Sequence, residues 1–467
     1  MRRRAVLQAT GGAGLSFSVA GCLFDTGPED VSEPLYEPLD STSLEGAAEA
    51  VVGDDGETAY VASVDGFATV DVTDPEELTV LAEPKNLLED ENAGEFEGEP
   101  FLDILDVKVG DERLVVPGPA NEGMGDVFHG FLVYDVSDPA EPVLAAEPYE
   151  TGYHIHNCFV DGDLLYVVAN YVRADSSAGG GSTLADDGTD DNITDAPTNP
   201  LVVFDISGGD IEEIGRWSLL EYDPEWTDVD WILRYLHDVY VRDDLAVLAY
   251  WNAGTFLLDV SDPADPQFVS RLLETDLETQ LEYDTRSEIR DAQLGLPGND
   301  HYSAVDDTGE ILAIGRESWE TGLEGADGAG GIDIYDLSDP SDPVYRSTID
   351  APEGYDESYN GEPWTTSHNF ELRDGELYSS WYEGGVKIHD LSDLESPEEL
   401  AWWREPTNGS FWTARVLEPG ESFVASSTAY TNTDGPESRL YTFPIESGEQ
   451  ADPPSLTDSG VFSSDDE

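Results

Sequence analysis

One phrase recurs along the chain and restricts the fold more than anything else in it. It reads Asp71-Val-Thr-Asp-Pro75, Asp135-Val-Ser-Asp-Pro139, Asp205-Ile-Ser-Gly-Gly209, Asp259-Val-Ser-Asp-Pro263, Asp336-Leu-Ser-Asp-Pro340 and Asp390-Leu-Ser-Asp-Leu394. An apolar run precedes each copy, as in Gly130-Phe-Leu-Val-Tyr134, and a short apolar stretch follows, as in Pro142-Val-Leu-Ala-Ala146. Proline presets φ for a turn, and Asp and Ser side chains bond turn backbone, so the phrase reads as strand, turn, strand. Upstream of each copy lies a second alternating pair joined by an Asp-Gly-type turn, such as His156 to Val168 or His368 to Tyr378. The unit is therefore four antiparallel strands, A to D. Units begin near Ala47, Leu105, His156, His237, His301, His368 and Trp412, the last with Leu440-Tyr-Thr-Phe443 as its strand C. Seven such units predict an all-β fold, a seven-bladed β-propeller of four-stranded antiparallel blades. An open β-solenoid usually has shorter repeats and lacks this paired-hairpin grammar.

The strand Phe131-Leu-Val-Tyr-Asp135 and its counterparts resemble the LVIVD-repeat family of extracellular proteins. The resemblance spans nearly the whole mature chain and implies the propeller. It implies little about activity, and units one, three and seven depart from the phrase.

Charge sets the environment. Asp and Glu number 102 against 20 Lys and Arg, a formal charge of −82. Nucleic-acid binding through phosphates needs clustered cations and is excluded, as is a basic membrane-surface role. Such self-repulsion opposes the compact state at ordinary ionic strength, but a Debye length of about 3 Å in molar salt removes most of it. The composition is similar to that of halophilic archaeal proteins. No Asp-x-Asp-x-Asp-Gly loop suggests a calcium-organised alternative.

Residues 1–22 read as an export address: Arg2-Arg3-Arg4, a short apolar run, then Val19-Ala20-Gly21-Cys22. The arginines resemble a twin-arginine signal, and Val-Ala-Gly-Cys resembles a lipobox in which Cys22 is lipidated. The expected organisation is signal (1–22), acidic tether that could add a closing strand through part of 31–40 (23–45), propeller (46–445) and disordered acidic tail (446–467). The expected location is the extracellular face of the membrane, with the lipid as the only membrane attachment. Cys158 is then the one remaining cysteine, and its apolar strand Asn157-Cys158-Phe159-Val160 marks it as a buried structural thiol.

The two edges of the blades differ. The A–B turns (Asp161-Gly162, Asp243-Asp244, Asp374-Gly375) and the Asp/Pro C–D turns are short. Long insertions fall on the opposite edge: 86–103, 222–236, 271–300 and 351–366 between blades, and 117–130, 172–199 and 316–331 within them. Insertions carry function more often than trimmed turns, so the loop-rich face is expected to work. Leu273, Leu277 and Leu281, followed by Ile289 and Ala292, suggest a short helical lid. The Gly/Ser/Asp-rich 172–199 reads as mobile, and Asn192 and Asn408 head glycosylation sequons.

Four of the seven histidines open strand A at one equivalent place: His156, His237, His301 and His368. Strand A is innermost in a blade, so an arc of imidazoles from four consecutive blades is expected at the channel mouth. Neutral imidazoles from several strands suit a divalent transition metal as cofactor. Two other readings stand beside it: a structural repeat residue bonding within the blade, and general acid–base work. Blade two has a perfect Asp/Pro phrase yet holds Leu105 in the slot, which points toward a localised site. His154 is a candidate fifth member; His389 is expected in packing. Aromatics end strand B on the same face (Tyr171, Tyr250-Trp251, Trp319, Trp381-Tyr382) and offer either ligand stacking or inter-blade packing. Trp251, Trp381, Tyr382 and Arg316 are the candidate ligand-binding residues; Arg316, like Arg173, would seat an anion or merely offset nearby carboxylates. No nucleophile elbow, phosphate loop, Cys-x-x-Cys or His-Glu-x-x-His occurs. The expected function is a cell-surface binding module for a surface ligand or protein. The alternative is a metal-dependent, oxidoreductase-like enzyme built on the histidine arc, by analogy of architecture alone with propeller oxidoreductases whose channel histidines hold a metal.

Overall fold

The computed structural model describes residues 35–89, 91–121, 127–170, 198–323, 328–429 and 437–462. Within them the chain forms seven antiparallel sheets, the blades of a β-propeller. Blade one is Ala47–Val52, Thr58–Ser63, Gly66–Asp71 and Thr79–Ala82. Blade two runs Lys108–Gly110, Arg113–Gly118 and Gly130–Asp135, with Val143–Leu144 and Tyr149–Glu150 sharing its outer edge. Its innermost strand thus starts at Lys108, three residues beyond the expected Leu105. Blades three to six have innermost strands Ile155–Asp161, Asp238–Arg242, Asp300–Val305 and Phe370–Arg373. Blade seven supplies Phe411–Glu418, Ser422–Ser427 and Arg439–Pro444.

The fourth strand of blade seven comes from the other end of the chain. Asp40–Ser43 pairs antiparallel with Arg439–Thr442, Asp40 opposite Thr442 and Ser43 opposite Arg439. Closure thus uses Asp40, the last residue of the 31–40 segment, and the three residues after it, within the span read as tether. Tyr36 is buried, its ring stacked on Phe443 at 6.2 Å. The segment read as a free tail also docks. Gly448–Glu449 adds to the outer strand of blade six, Arg404 Nε donates to Pro454 O at 2.9 Å, and Leu456 is buried.

The recurrent phrase has two jobs. Within the turn, the first aspartate accepts a backbone N–H two residues on, as Asp135 does from Ser137 (3.0 Å) and Asp259 from Ser261 (2.9 Å). Between blades, the carbonyl of its last residue accepts a hydroxyl from the preceding blade: Thr69 on Pro139, Ser270 on Pro340, Ser347 on Leu394 and Thr442 on Pro75, each 2.6 Å. In blade three the equivalent residue is Gly215, where a β-carbon would stand 2.0 Å from Pro263 O. Asp374 and Gly375 at φ +53° and +83° make a two-residue hairpin turn that matches strand twist. The middle strands are buried almost end to end, for instance Leu165 to Ala169 and Ala246 to Ala249, because each sheet is sandwiched between two others. The long 271–300 insertion carries the expected helices, Leu277–Gln280 and Arg286–Leu294, the second opened by a Thr285/Glu288 capping box.

Candidate functional site

The four strand-opening histidines stand side by side. Ring centroids are 4.2 Å apart between His156 and His237, 3.7 Å between His237 and His301, and 4.8 Å between His301 and His368; Trp412 continues the row at 4.1 Å. Blades three to seven each contribute one ring. Three of the imidazoles are oriented by main-chain carbonyls. Nδ1 lies 3.0 Å from Ala120 O in His156, 2.8 Å from His301 O in His237 and 2.6 Å from Trp412 O in His368. A carbonyl only accepts, so Nδ1 carries the proton and Nε2 keeps the lone pair. Burial, reinforced by repulsion from neighbouring imidazoles, pushes His156 down to about 4, His368 to about 3 and His237 well below its usual value. These rings are neutral at neutral pH, the state in which imidazole ligates metal.

His301 differs. It is 3% exposed, and neither ring nitrogen has a hydrogen-bond partner. Its Nδ1 lies 3.1 Å from Glu317 Oε2, close but outside hydrogen-bond geometry. The other oxygen of Glu317 accepts the Tyr382 hydroxyl. Burial would raise the Glu317 carboxyl, but the adjacent imidazoles and the Tyr382 bond hold it at about 2. Donor atoms of His301, Glu317 and His368 all lie within 4.8 Å of one another. Leaving a buried imidazole unbonded costs roughly 1–3 kcal/mol.

Beneath this arc lies a charged layer. Glu49, 1% exposed, accepts from Asn369 Nδ2 at 2.6 Å and Arg415 Nη2 at 2.7 Å, and lies 4.0 Å from Lys108 Nζ. Asp106 accepts from Lys108 and from Cys158 N. Burial would deprotonate Lys108, but Asp106 and Glu49 hold its pKa above the usual value. Asp238 lies in the same interior; burial drives its carboxyl well up, and its Oδ2 has no partner. Past Lys108 and Arg415, a cavity of about 750 Å3 lies against all seven blades, walled by Val109, Phe159, Val239, Tyr302, Phe370 and Val416. Its rim is built from A–B and C–D turns, so this opening is on the trimmed face, opposite the histidines.

The LVIVD repeat model matches residues 124–151, 234–273 and 326–350. The chain carries LVIVD repeats in these three segments. No curated protein matches the sequence. Among solved structures, the β-propeller domain of Myceliophteria thermophila Cps50 (Swd1) is similar at TM-score 0.52 and 8% identity, covering 87% of this chain and 99% of that one. That likeness concerns the fold. The computationally designed protein Ika8 aligns at TM-score 0.42 and 11% identity over 82% of this chain and 83% of its own.

In this LVIVD propeller the candidate ligand-binding residues separate. Trp251 lines the arc, its ring 5.8 Å from His237 and 4.6 Å from Tyr235. Tyr382 is 5.0 Å from His368, but buried. Trp381 is fully buried between blades with Tyr302 and Phe370, Nε1 bonded to Ser379 Oγ, so it has no face to offer a ligand. Arg316 is 2.8 Å from Asp333 and 3.6 Å from Asp300, and donates to Pro297 O at 2.5 Å, so it offsets nearby carboxylates. His154 points to Tyr235 OH at 3.0 Å, outside the arc; His389 is packed in blade six. Cys158 is fully buried. Asn408 is exposed, its Nδ2 on Glu405 at 2.9 Å. Cys22, Tyr171, Arg173, the 172–197 stretch and Asn192 lie outside the described residues.

Sequence reasoning missed Glu317, Tyr235 and the Glu49–Arg415–Lys108–Asp106 layer. For Glu317 a signal existed. The N–H groups of Tyr250, Arg316 and Trp381 pair with Gly254, Gly331 and Gly385, so the residues that follow are equivalent: Trp251, Glu317 and Tyr382. A carboxylate thus occupies a slot that is aromatic in both flanking blades. Trp251 and Tyr382 hold that slot at φ +36° and +48°, strained for non-glycine residues, as is common at functional sites.

Proposed function

We propose that this LVIVD propeller is an exported, lipid-anchored, salt-adapted binding module, and that its ligand is held at the histidine end of the axial channel. The observation that carries the reading is the contiguous arc of imidazoles, three neutral with Nδ1 committed to carbonyls and Nε2 left basic. Export and anchoring rest on Arg2-Arg3 and on Val19-Ala20-Gly21-Cys22. Adaptation to salt rests on the formal charge of −82. A metal-dependent enzyme is the second reading, favoured by the single carboxylate against His301.

Two measurements test this. In a high-salt host, Cys22→Ala should move the protein from the membrane fraction to the medium; retention in the membrane would remove the anchor from the proposal. For binding, the melting temperature of the full chain in molar KCl is followed with divalent ions, simple sugars, amino acids and inorganic anions, in wild type and His237→Ala. Ligand stabilisation grows as RT ln(1 + [L]/Kd). At least one class should stabilise wild type and not the variant. If none does, and His237→Ala only melts earlier, the arc is packing.

A further inference from the structure

Resting on the reading of the histidine end as a binding site, we infer that His301, Glu317 and His368 form a three-ligand site for one first-row divalent transition-metal ion, leaving a coordination position open to solvent or substrate. Three observations converge. First, His301 is 97% buried (3% exposed) and both its ring nitrogens are unpartnered. A packing histidine is normally satisfied, as His156, His237 and His368 are at Nδ1. Second, the donor atoms lie close together: 3.1 Å for the His301–Glu317 pair and at most 4.8 Å within the trio. Donors on a tetrahedral ion with bonds of about 2.1 Å stand about 3.4 Å apart, so sub-ångström to ångström rotamer shifts bring all three onto one centre. Third, the two other ligands are already braced. Trp412 O holds His368 Nδ1 at 2.6 Å and leaves Nε2 with the lone pair, and the Tyr382 hydroxyl holds the far oxygen of Glu317. Metal-bound histidines and carboxylates are ordinarily oriented by such outer partners.

Among the described residues no Lys or Arg lies within ion-pair distance of Glu317; the adjacent Arg316 is committed to Asp300 and Asp333. The donor set selects the class of ion. Two imidazoles and one carboxylate suit zinc, iron(II), cobalt(II) and similar borderline ions; magnesium and calcium prefer all-oxygen shells. Three protein ligands rather than four is the pattern of sites that keep an open position. The module would then present a Lewis-acidic ion at the loop-rich end.

The experiment uses full-length protein in molar KCl, stripped with a chelator and titrated with Co(II). Wild type should bind one equivalent and develop visible d–d absorption. Glu317→Gln should weaken binding by at least about tenfold, in line with loss of a ligand, and His301→Ala likewise. His389→Ala, packed in blade six away from the arc, should bind as wild type. Melting curves establish that each variant is folded, and the near-isosteric Glu317→Gln keeps the test decisive if His301→Ala is not. Absence of Co(II) binding to folded wild type overturns the inference. So does Co(II) held equally by Glu317→Gln, the signature of surface carboxylates. A sugar, amino acid or anion that stabilises wild type while Co(II) does not would sink the metal site and leave the channel-binding proposal standing.

Discussion

Two layers of polar side chains line the same axis and obey opposite rules. In the charged layer the cations and two of the carboxylates serve one another, with Glu49 bonded to Arg415 and Asn369 and near Lys108, and Asp106 bonded to Lys108 and Cys158 N; Asp238 alone of these groups leaves an oxygen without a partner. At the histidine end the buried His301 has no partner in hydrogen-bond geometry, and its carboxylate neighbour Glu317 accepts from a tyrosine and faces no Lys or Arg among the described residues. Buried charges that satisfy one another hold the blades together. Buried groups left unsatisfied weaken the fold and persist where they do something else. The difference between the layers, rather than the presence of polar residues in a channel, is what singles out the upper end.

The comparison can be broken at several points. The largest effect is expected in the charged layer. Glu49→Ala leaves the buried Arg415 without its carboxylate and should cost about 3–5 kcal/mol in denaturant unfolding at high salt; a loss below about 1 kcal/mol would mean the layer is not structural. Next comes Glu383, buried beside Trp364 at the histidine end, whose carboxyl burial pushes up to about 8. Because the folded pKa is raised, its stabilising neutral form is fully present below about pH 4.5 and is lost as pH climbs through 8. Wild type should therefore lose stability relative to Glu383→Gln across that window, with a slope of up to about 1.4 kcal/mol per pH unit. Parallel pH profiles would refute it. Thr442→Val removes the hydroxyl that ties blade seven to the Pro75 carbonyl of blade one, and should cost about 1 kcal/mol, as should Ser270→Ala at the Pro340 latch. The smallest effect is expected at His301. His301→Leu replaces an unsatisfied imidazole with an apolar group and should leave metal-free stability within about 1 kcal/mol of wild type, or raise it. A loss of 3 kcal/mol there would make the two layers alike and the arc structural.

How much of this was legible beforehand depended on sequence distance. The Asp/Pro phrase, the Asp-Gly hairpins and the strand-opening histidines are local or periodic signals, and they located the blades and four rings of the arc. The Pro139 and Pro340 carbonyl latches were not legible, because they join a turn to a hydroxyl in another blade. Closure was read only in outline: an N-terminal strand was foreseen, but its pairing of Asp40–Ser43 with residues 439–442 was not. Trp381 and Tyr382 looked equivalent to Trp251 as ligand-stacking candidates; strand alternation turned Trp381 between blades and Tyr382 toward His368. Glu317 was hidden behind Arg316 and an insertion that blurred the register of strand B.

By itself the amino-acid order determined the repeating unit, its turns, the acidity and the row of histidines, because these depend on neighbours along the chain and on composition. Only the closed ring decided which groups meet. It brought Glu49 against Arg415 across 366 residues, and set the Glu317 carboxylate between His301 and Tyr382. Circular closure converts equal spacing in sequence into convergence on one axis, and burial on that axis turns ordinary polar side chains into either paired struts or unsatisfied ligands.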